Sequence, residues 1–406
     1  MIKQRNNIIA TLDIGSSKIL CTIAKLSTNT QLEVMGFNSH IAEGIRCGII
    51  TDLQLATESI AQAIEGAEKN SDVRISNIYV NISSNNLISH RLSAEIDVTG
   101  HEINSKDMSK LLFQVLDKYK DQQVSLIHSF IYDYMLDGNR GITNPLGMYG
   151  ANLSCEVNVL VSPNNVIANL SNCLSKCQLD VNGYIASSYA SGISCLSSDE
   201  MKMGVVLIEI GSGCSSISIF TNNQLIFTDG VPVGGYHITN DIAKGLCISF
   251  ENAERVKNLH GTVISTSTDS KEIIEIESED EENSLISKAM LVEIIKARAE
   301  EILELLEHKL VNAGFSISGN KIVLIGGSAN LNGLKELVNH IFSAKVRIGY
   351  SKQLCGLESE EKNMAFTTSI GMLMHINQTI KATRVNKISS GPIGKRVFQW
   401  LKDNFI

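Results

Sequence analysis

Apolar residues along this chain follow strand-like and helix-like spacings in turn, and the strand-like pattern recurs in two places. Residues 8–13 (IIATLD) are an apolar run that ends on a carboxylate, the pattern of a buried strand. A turn at 15–17 separates it from a second strand at 18–25 (KILCTIAK), and 32–38 predicts a third. The Ala-, Glu-, Ile- and Gln-rich stretch 53–69 predicts a helix, and 75–82 (ISNIYVNI) another strand. A second cycle starts after Met203. Residues 205–210 predict a strand running into Gly211-Ser-Gly, 216–221 the answering strand, Asn222-Asn-Gln a hairpin turn, and 225–229 the return. Strand, Gly/Ser turn, strand, turn, strand thus occurs near residue 8 and again near residue 205. This is an approximate internal duplication, and a duplicated fold places a ligand cleft between its halves.

Between the cycles, 85–161 looks inserted. Residues 91–98 alternate as a strand, Ser105 begins a helix with Asp107 and Lys110 on its polar face, Asn144-Pro-Leu-Gly marks a sharp turn, and 151–161 is a further strand. A helix at 164–178 returns the chain to the core. After the second cycle, 265–283 is polar, with 277–282 reading ESEDEE; such a charge run predicts a solvated loop or variable insertion. A long helix is expected at 285–312, a strand at 321–325 entering Gly326-Gly-Ser, and a helix opening at Leu331. Residues 381–390 read as a flexible tether.

The last sixteen residues, 391–406 (GPIGKRVFQWLKDNFI), are amphipathic on a helical wheel. Ile393, Val397, Phe398, Trp400, Leu401 and Phe405 fall within roughly 160° of arc. Lys395, Arg396, Gln399, Lys402 and Asp403 fall opposite, and Asn404 intrudes on the apolar side. A wide apolar face flanked by Lys and Arg suits the headgroup boundary of an anionic bilayer; the alternative is a terminal helix docked on its own domain.

Bulk properties narrow the classes. A chain of 406 residues needs more than one core. A net charge of −8 argues against nucleic acid as the main partner, yet from Lys381 onward six basic residues face one acidic residue, which favours a tail with a partner of its own. Nine scattered cysteines without a CxxC pair form neither a disulfide framework nor a zinc site, which fits a reducing cytoplasm. The apolar run at 8–12 is too short for a signal peptide, and no stretch approaches the ~20 apolar residues of a spanning helix; contact with a membrane would be peripheral.

Three turns carry the chemistry. In Asp13-Ile-Gly15-Ser16-Ser17-Lys18, small residues let backbone N–H groups reach phosphate oxygens, Ser hydroxyls add donors and Lys18 adds charge. Asp13 would repel phosphate, so a bridging Mg²⁺, reached through water, is required. Glu209-Ile-Gly211-Ser212-Gly213-Cys214-Ser215 repeats the carboxylate-then-glycine pattern. Ile325-Gly326-Gly327-Ser328-Ala-Asn330 leaves room for a base or ribose against the backbone. Each turn alone also fits a hairpin that merely needs glycine.

Their order resembles that of the actin-like ATPase superfamily: two phosphate turns, then an adenosine turn. In that superfamily an acid and a lysine three residues apart contact ribose and adenine, and in 250–257 (FENAERVK) Glu254 and Lys257 fit, although an i,i+3 surface ion pair has the same spacing. The insertion narrows the resemblance to the FtsA family. The residues that carry it are Ile127-His128, 132–137, 141–150 (GITNPLGMYG), 186–190 (ASSYA) and 231–243 (VPVGGYHITNDIA), together with the amphipathic tail.

The resemblance implies a duplicated actin-like, ribonuclease H-like α/β fold. Two lobes flank a nucleotide cleft, with an inserted FtsA-type subdomain and a C-terminal amphipathic helix. Expected boundaries are 1–84 with 162–192 and 193–234 with 319–380 for the cores, 85–161 for the insert, 235–318 for an outer subdomain, 381–390 for the linker and 391–406 for the membrane helix. It further implies ATP with Mg²⁺ as cofactors, the metal held near Asp13 and Glu209. Implied partners are the C-terminal tail of FtsZ on 235–318, further copies in actin-like polymers, later division proteins on the insert, and an anionic membrane surface. The expected place is the cytoplasmic face of the bacterial inner membrane at the septum. The second phosphate turn departs from the family, which usually has Asp, Gly-Gly-Gly-Thr and then an acid; here stand Glu209, Gly211-Ser-Gly213, Cys214 and Ser216. Cysteine is the poorer phosphate partner, so hydrolysis is affected more than binding, and no general base is assigned. The rival readings are a PilM-like scaffold, a sugar kinase, for which no catalytic Asp presents itself, and a chaperone ATPase, which would carry a long domain after the cleft.

Overall fold

The computed structural model describes residues 7–27, 31–119, 122–267, 269–276, 284–316, 320–357 and 366–389. The first half runs through β1 (Ile8–Ile14), β2 (Lys18–Leu26), β3 (Leu32–Ile41), the short pair β4 (Ile45–Arg46) and β5 (Ile49–Ile50), α1 (Leu53–Ser71) and β6 (Asn77–Ile82). The inserted unit follows: β7 (Ile88–Asp97), α2 (Ser105–Leu116), β8 (Val124–Leu136) and β9 (Asn152–Pro163). α3 (Asn164–Lys176), β10 (Asp180–Ala186), α4 (Ser187–Cys195) and α5 (Ser198–Met203) lead to the second half. There come β11 (Val205–Ile210), β12 (Ser215–Thr221), β13 (Gln224–Val231), α6 (Gly235–Leu246), α7 (Phe250–His260), the hairpin β14 (Ile273–Ile276) and β15 (Ser284–Ser287), and α8 (Lys288–Asn312). β16 (Lys321–Ile325), α9 (Leu334–Phe342), β17 (Lys345–Ile348) and α10 (Thr367–Ser389) follow among the described residues.

The duplication is visible in the sheets. One is ordered β10-β6-β1-β2-β3 and the other β13-β12-β11-β16-β17. In each, three antiparallel strands continue into parallel ones, with β1 paired to β6 and β11 to β16. Mixed sheets of this kind need a crossover between their parallel strands, and α1 supplies the first. Ala56, Ile60, Ala63, Ile64 and Ala67 make the buried stripe of α1, and Asp52 caps its first turn by accepting from the Gln54 and Leu55 N–H groups. The insert is a three-stranded sheet ordered β7-β9-β8, with Leu111 and Val115 of α2 buried against it.

The structure corrects several expectations. The polar segment after residue 265 is not only a loop: Ile273–Ile276 pairs with Ser284–Ser287, and the acidic run lies between them, outside the described residues. That pairing takes residues 285–287, so the long helix starts at Lys288. The expected tether at 381–390 is helical through Ser389, because no Gly or Pro interrupts α10 before Gly391-Pro392. A short 3₁₀ turn, Gly327–Asn330, precedes α9, which begins at Leu334 rather than Leu331. β8 had no period-2 signal because register shifts at Leu126/His128 and Ile131/Asp133 break its alternation. The amphipathic stretch 391–406 lies outside the described residues. Among the described residues, no helix is long and apolar enough to cross a membrane.

Candidate functional site

β1 and β11 end in loops of the same design. Ile14 pairs with Ile19 and Ile210 with Ser215, each pair closing a four-residue loop. Gly15 N–H donates to Lys18 O and Gly211 N–H to Cys214 O, both at 3.0 Å. The loops meet across the cleft: a Cβ on Gly213 would lie 2.3 Å from Ser16 Oγ, so only glycine allows this approach. Beneath them is a cleft of about 890 Å³. All fourteen expected nucleotide residues line it, from Asp13 and Gly15 through Lys257 to Asn330, and so does Glu209.

Asp13 and Glu209 each sit one residue before their strand's end. Asn81, at the end of β6, donates from Nδ2 to Asp13 Oδ1 at 2.7 Å and to Ser187 Oγ at 3.0 Å, and accepts from Ile14 N–H at 2.7 Å. Thr368, at the start of α10, hydrogen-bonds Asp13; Ser191 of α4 hydrogen-bonds Glu209; the two hydroxyls lie 3.2 Å apart. A chain of hydroxyls therefore joins the two carboxylates. Desolvation lifts the Asp13 pKa to about 6 against the pull of Lys18 and Thr368. It lifts Glu209 to about 7, helped by the like charge of Asp13 and opposed by Ser191. Burial lowers the Lys18 pKa while Asp13 supports its charge. Two buried carboxylates, each with a raised proton affinity, are poised for a cation. Among the described residues no three His, Cys, Asp or Glu side chains gather to hold a metal. A divalent ion here would draw its remaining ligands from water and phosphate, which is the habit of Mg²⁺.

The other end is built on α6 and α7. Lys257 Nζ lies 2.7 Å from Glu254 Oε2, donates to Thr239 Oγ1 at 2.7 Å and reaches Gly235 O at 3.3 Å; Thr239 also hydrogen-bonds Glu254. With a side chain only 13 % exposed, Lys257 is fixed rather than waving in solvent. Burial would raise the Glu254 pKa, but Lys257 and Thr239 bring it below the usual range. Gly326 adopts φ +96°, and a Cβ there would strike Ile210 O at 2.4 Å, so it joins β16 to β11. A Cβ on Gly327 would meet nothing within 4 Å, which leaves an open floor.

Sequence reasoning missed Asn81, Ser187, Thr368, Asn332 and Lys288, which also line the cleft. Asn81 had a signal: a polar residue, 4 % exposed, closing an apolar strand. Thr368 had none, because it arrives from the far end of the chain.

Two family models match the chain: "Cell division protein FtsA" over residues 206–371 and "SHS2 domain inserted in FTSA" over residues 84–161. Cell division protein FtsA of Agrobacterium fabrum is 34 % identical, the match covering 99 % of this chain and 96 % of that protein. The Escherichia coli K12 protein of the same name is 25 % identical, with both chains covered completely. Among solved structures, a chain of the PilM-PilN type IV pilus biogenesis complex superposes with a TM-score of 0.66 at 14 % identity, covering 90 % of this chain and 98 % of its own. MreB5 of Spiroplasma citri bound to AMPPNP gives 0.53 at 12 %, covering 94 % and 99 %. At such identities these structures share the actin-like fold.

Proposed function

This chain belongs to the FtsA family of cell division proteins, and on that premise we propose that it binds ATP with Mg²⁺ in the interlobe cleft and tethers FtsZ filaments to the cytoplasmic face of the bacterial inner membrane at the septum. The observation that carries the ATP reading is the pair of matching loops with a carboxylate behind each. The N–H groups of 15–17 and 211–213, with Lys18, suit the phosphates; Glu254 and Lys257 suit ribose and adenine; the open floor at Gly327 admits the base. Asp13 and Glu209 would hold the ion through water, and Mg²⁺ would supply neutralisation of phosphate charge. Binding rather than efficient hydrolysis is the expected outcome. Ser216 stands opposite Glu209 in the β11–β12 ladder where relatives are expected to carry an acid, and Cys214 Sγ lies 3.4 Å from Ser83 Oγ.

The FtsZ tail would dock on the outer subdomain, 235–318, and later division proteins on the insert, 85–161. The tail at 391–406 would supply membrane contact. One such helix binds reversibly, and polymerisation through actin-like contacts adds avidity.

The test is flotation of FtsZ filaments with anionic vesicles. FtsZ should rise with the vesicles only when this protein and Mg²⁺-ATP are present. The emission of Trp400, the single tryptophan, should shift to the blue. Trp400→Glu should abolish flotation, and Lys257→Glu should leave FtsZ unfloated even with Mg²⁺-ATP present. Flotation that persists with Trp400→Glu would overturn the tether, and ATP-stimulated flotation that persists with Lys257→Glu would overturn the cleft assignment.

A further inference from the structure

Two thiols from opposite lobes stand at the same seam of the cleft, Cys47 against Gly213 and Cys214 against Ser83. Cys47 occupies the turn between β4 and β5 at φ +50°, in the left-handed region. Its Sγ donates to the Gly213 carbonyl of the other lobe at 3.1 Å and lies 3.8 Å from Pro232 O. A Cβ on Gly213 would sit 3.4 Å from the Cys47 nitrogen, so the two backbones are in contact. The next residue is Cys214, whose Sγ lies 3.4 Å from Ser83 Oγ. Ser83 also packs on the residue after Cys47, since a Cβ on Gly48 would meet Ser83 Cβ at 2.5 Å. Ser83 thus touches both sides of the seam, and the two thiols share a corner at the phosphate end. Asn86 fixes the Cys47 turn from behind, donating from Nδ2 to Cys47 O at 3.3 Å and to Gly48 O at 2.9 Å.

We propose that Cys47 and Cys214 close into an interlobe disulfide under peroxide and that this bond locks the nucleotide cleft. The reaction balances as two thiols and one hydrogen peroxide giving one disulfide and two waters. The S–H bonds and the O–O bond break, the S–S bond forms, and the sulfurs are oxidised as the peroxide oxygens are reduced. Bridging needs the two Cα atoms within about 7 Å. The contact of Cys47 with Gly213, the residue adjoining Cys214, puts the two cysteines on facing backbones of the seam. Burial raises the pKa of both thiols, that of Cys214 to about 11, so the pair answers a sustained oxidant rather than a trace. A ligand enclosed between lobes leaves by their separation, and a covalent bond across the seam opposes that separation. The locking step rests on the ATP reading; formation of the bond does not.

Reduced full-length protein is treated with hydrogen peroxide, its remaining thiols are alkylated, and its peptides are mapped by mass spectrometry. A linked pair containing Cys47 and Cys214, reversed by dithiothreitol, is expected as the main product. Release of a fluorescent, non-hydrolysable ATP analogue loaded with Mg²⁺ before oxidation should slow by about tenfold or more. Cys47→Ser keeps a donor for Gly213 O and cannot cross-link; it should release the analogue at the normal rate and ignore peroxide. Recovery of Cys47 and Cys214 both alkylated, or Cys47 joined to another cysteine, would overturn the pairing. A cross-link that leaves the release rate unchanged would overturn the lock. Failure of the reduced protein to take up the analogue would sink the ATP reading, while the peptide map would still decide the bond.

Discussion

Glu200 receives Arg347 through two nitrogens, Nε to Oε1 at 2.8 Å and Nη2 to Oε2 at 2.5 Å, and Lys321 Nζ adds a contact at 2.5 Å. Those Arg347 bonds, then Lys321 and the Ser197 N–H, hold its carboxyl well below the usual range against the cost of burial. Glu209 has the opposite environment, with burial and a like charge lifting it to about 7. The signs of their linkage to pH are therefore opposite. A depressed carboxylate contributes stability above its unfolded pKa and loses it as pH falls. A raised one costs stability once it ionises, and acid relieves that cost. Glu200→Gln should destabilise by about 2 kcal/mol at pH 7, with the gap to wild type narrowing below about pH 4.5. Glu209→Gln should stabilise the ligand-free protein by about 1 kcal/mol at pH 8, less than the full shift implies because cleft water reaches the group, and the gain should vanish near pH 4. Thermal melts of both variants across that range decide the matter, and a lower melting temperature for Glu209→Gln at pH 8 would show that burial and the Asp13 charge do not strain the ligand-free protein at Glu209. Only half of this site is legible in the sequence. Asp13, Glu209 and the turn glycines announce themselves because strand end, carboxylate and glycine are contiguous. Asn81 and Thr368, which hold Asp13, come from elements whose contact with β1 exists only in the folded chain.

Helix α10 shows how an element can hide its purpose. Its residue Gly371 looks like an unfavourable choice, since glycine in a helix interior costs about 1 kcal/mol relative to alanine. In the fold a Cβ at Gly371 would stand 1.8 Å from Ala190 O and 2.3 Å from Ala190 C on α4. Both atoms are backbone and cannot rotate away, so Gly371→Ala forces α10 off α4. The packing loss should exceed the propensity gain by about 2 kcal/mol or more, lowering the melting temperature by roughly 4–8 °C. It should also loosen Asp13, because Thr368 lies one turn away. Melting followed by circular dichroism tests the sign: a rise would mean that propensity wins and that the close approach is not held in solution. Strands with continuous apolar runs, such as β1 and β11, were readable at this scale. β8 was not, because its bulges break the period, and α10 was not, because its apolar residues follow no single face and its partner is set by tertiary packing.

At the scale of the molecule, the duplication was readable because two copies of one strand order leave two copies of one pattern. The seating of the insert was not. β7 to β9 interrupt the first half in sequence, yet they lean on the second. Arg91 places its guanidinium 4.4 Å over the Phe315 ring and donates to Ala313 O at the end of α8. Asn158 donates to Leu225 O at 3.0 Å, and Asn222 returns a bond to Tyr132 O at 3.3 Å. Behind them, a Cβ on Gly230 would sit 2.9 Å from Asn85 N. The insert is therefore a brace between the lobes, and a change in lobe angle must either carry it along or break these contacts. Arg91→Ala removes a partly exposed cation–π contact and one hydrogen bond, together about 1 kcal/mol, which is roughly fivefold in a local opening equilibrium. Amide exchange in β13 and in residues 311–316 should speed up by about that factor, while the interiors of β1 and β11 keep their protection. Unchanged exchange in both segments would mean that the brace is carried by Asn158 and the β13 backbone alone. Equal acceleration in β1 and β11 would mean that the arginine supports global stability and not the seam.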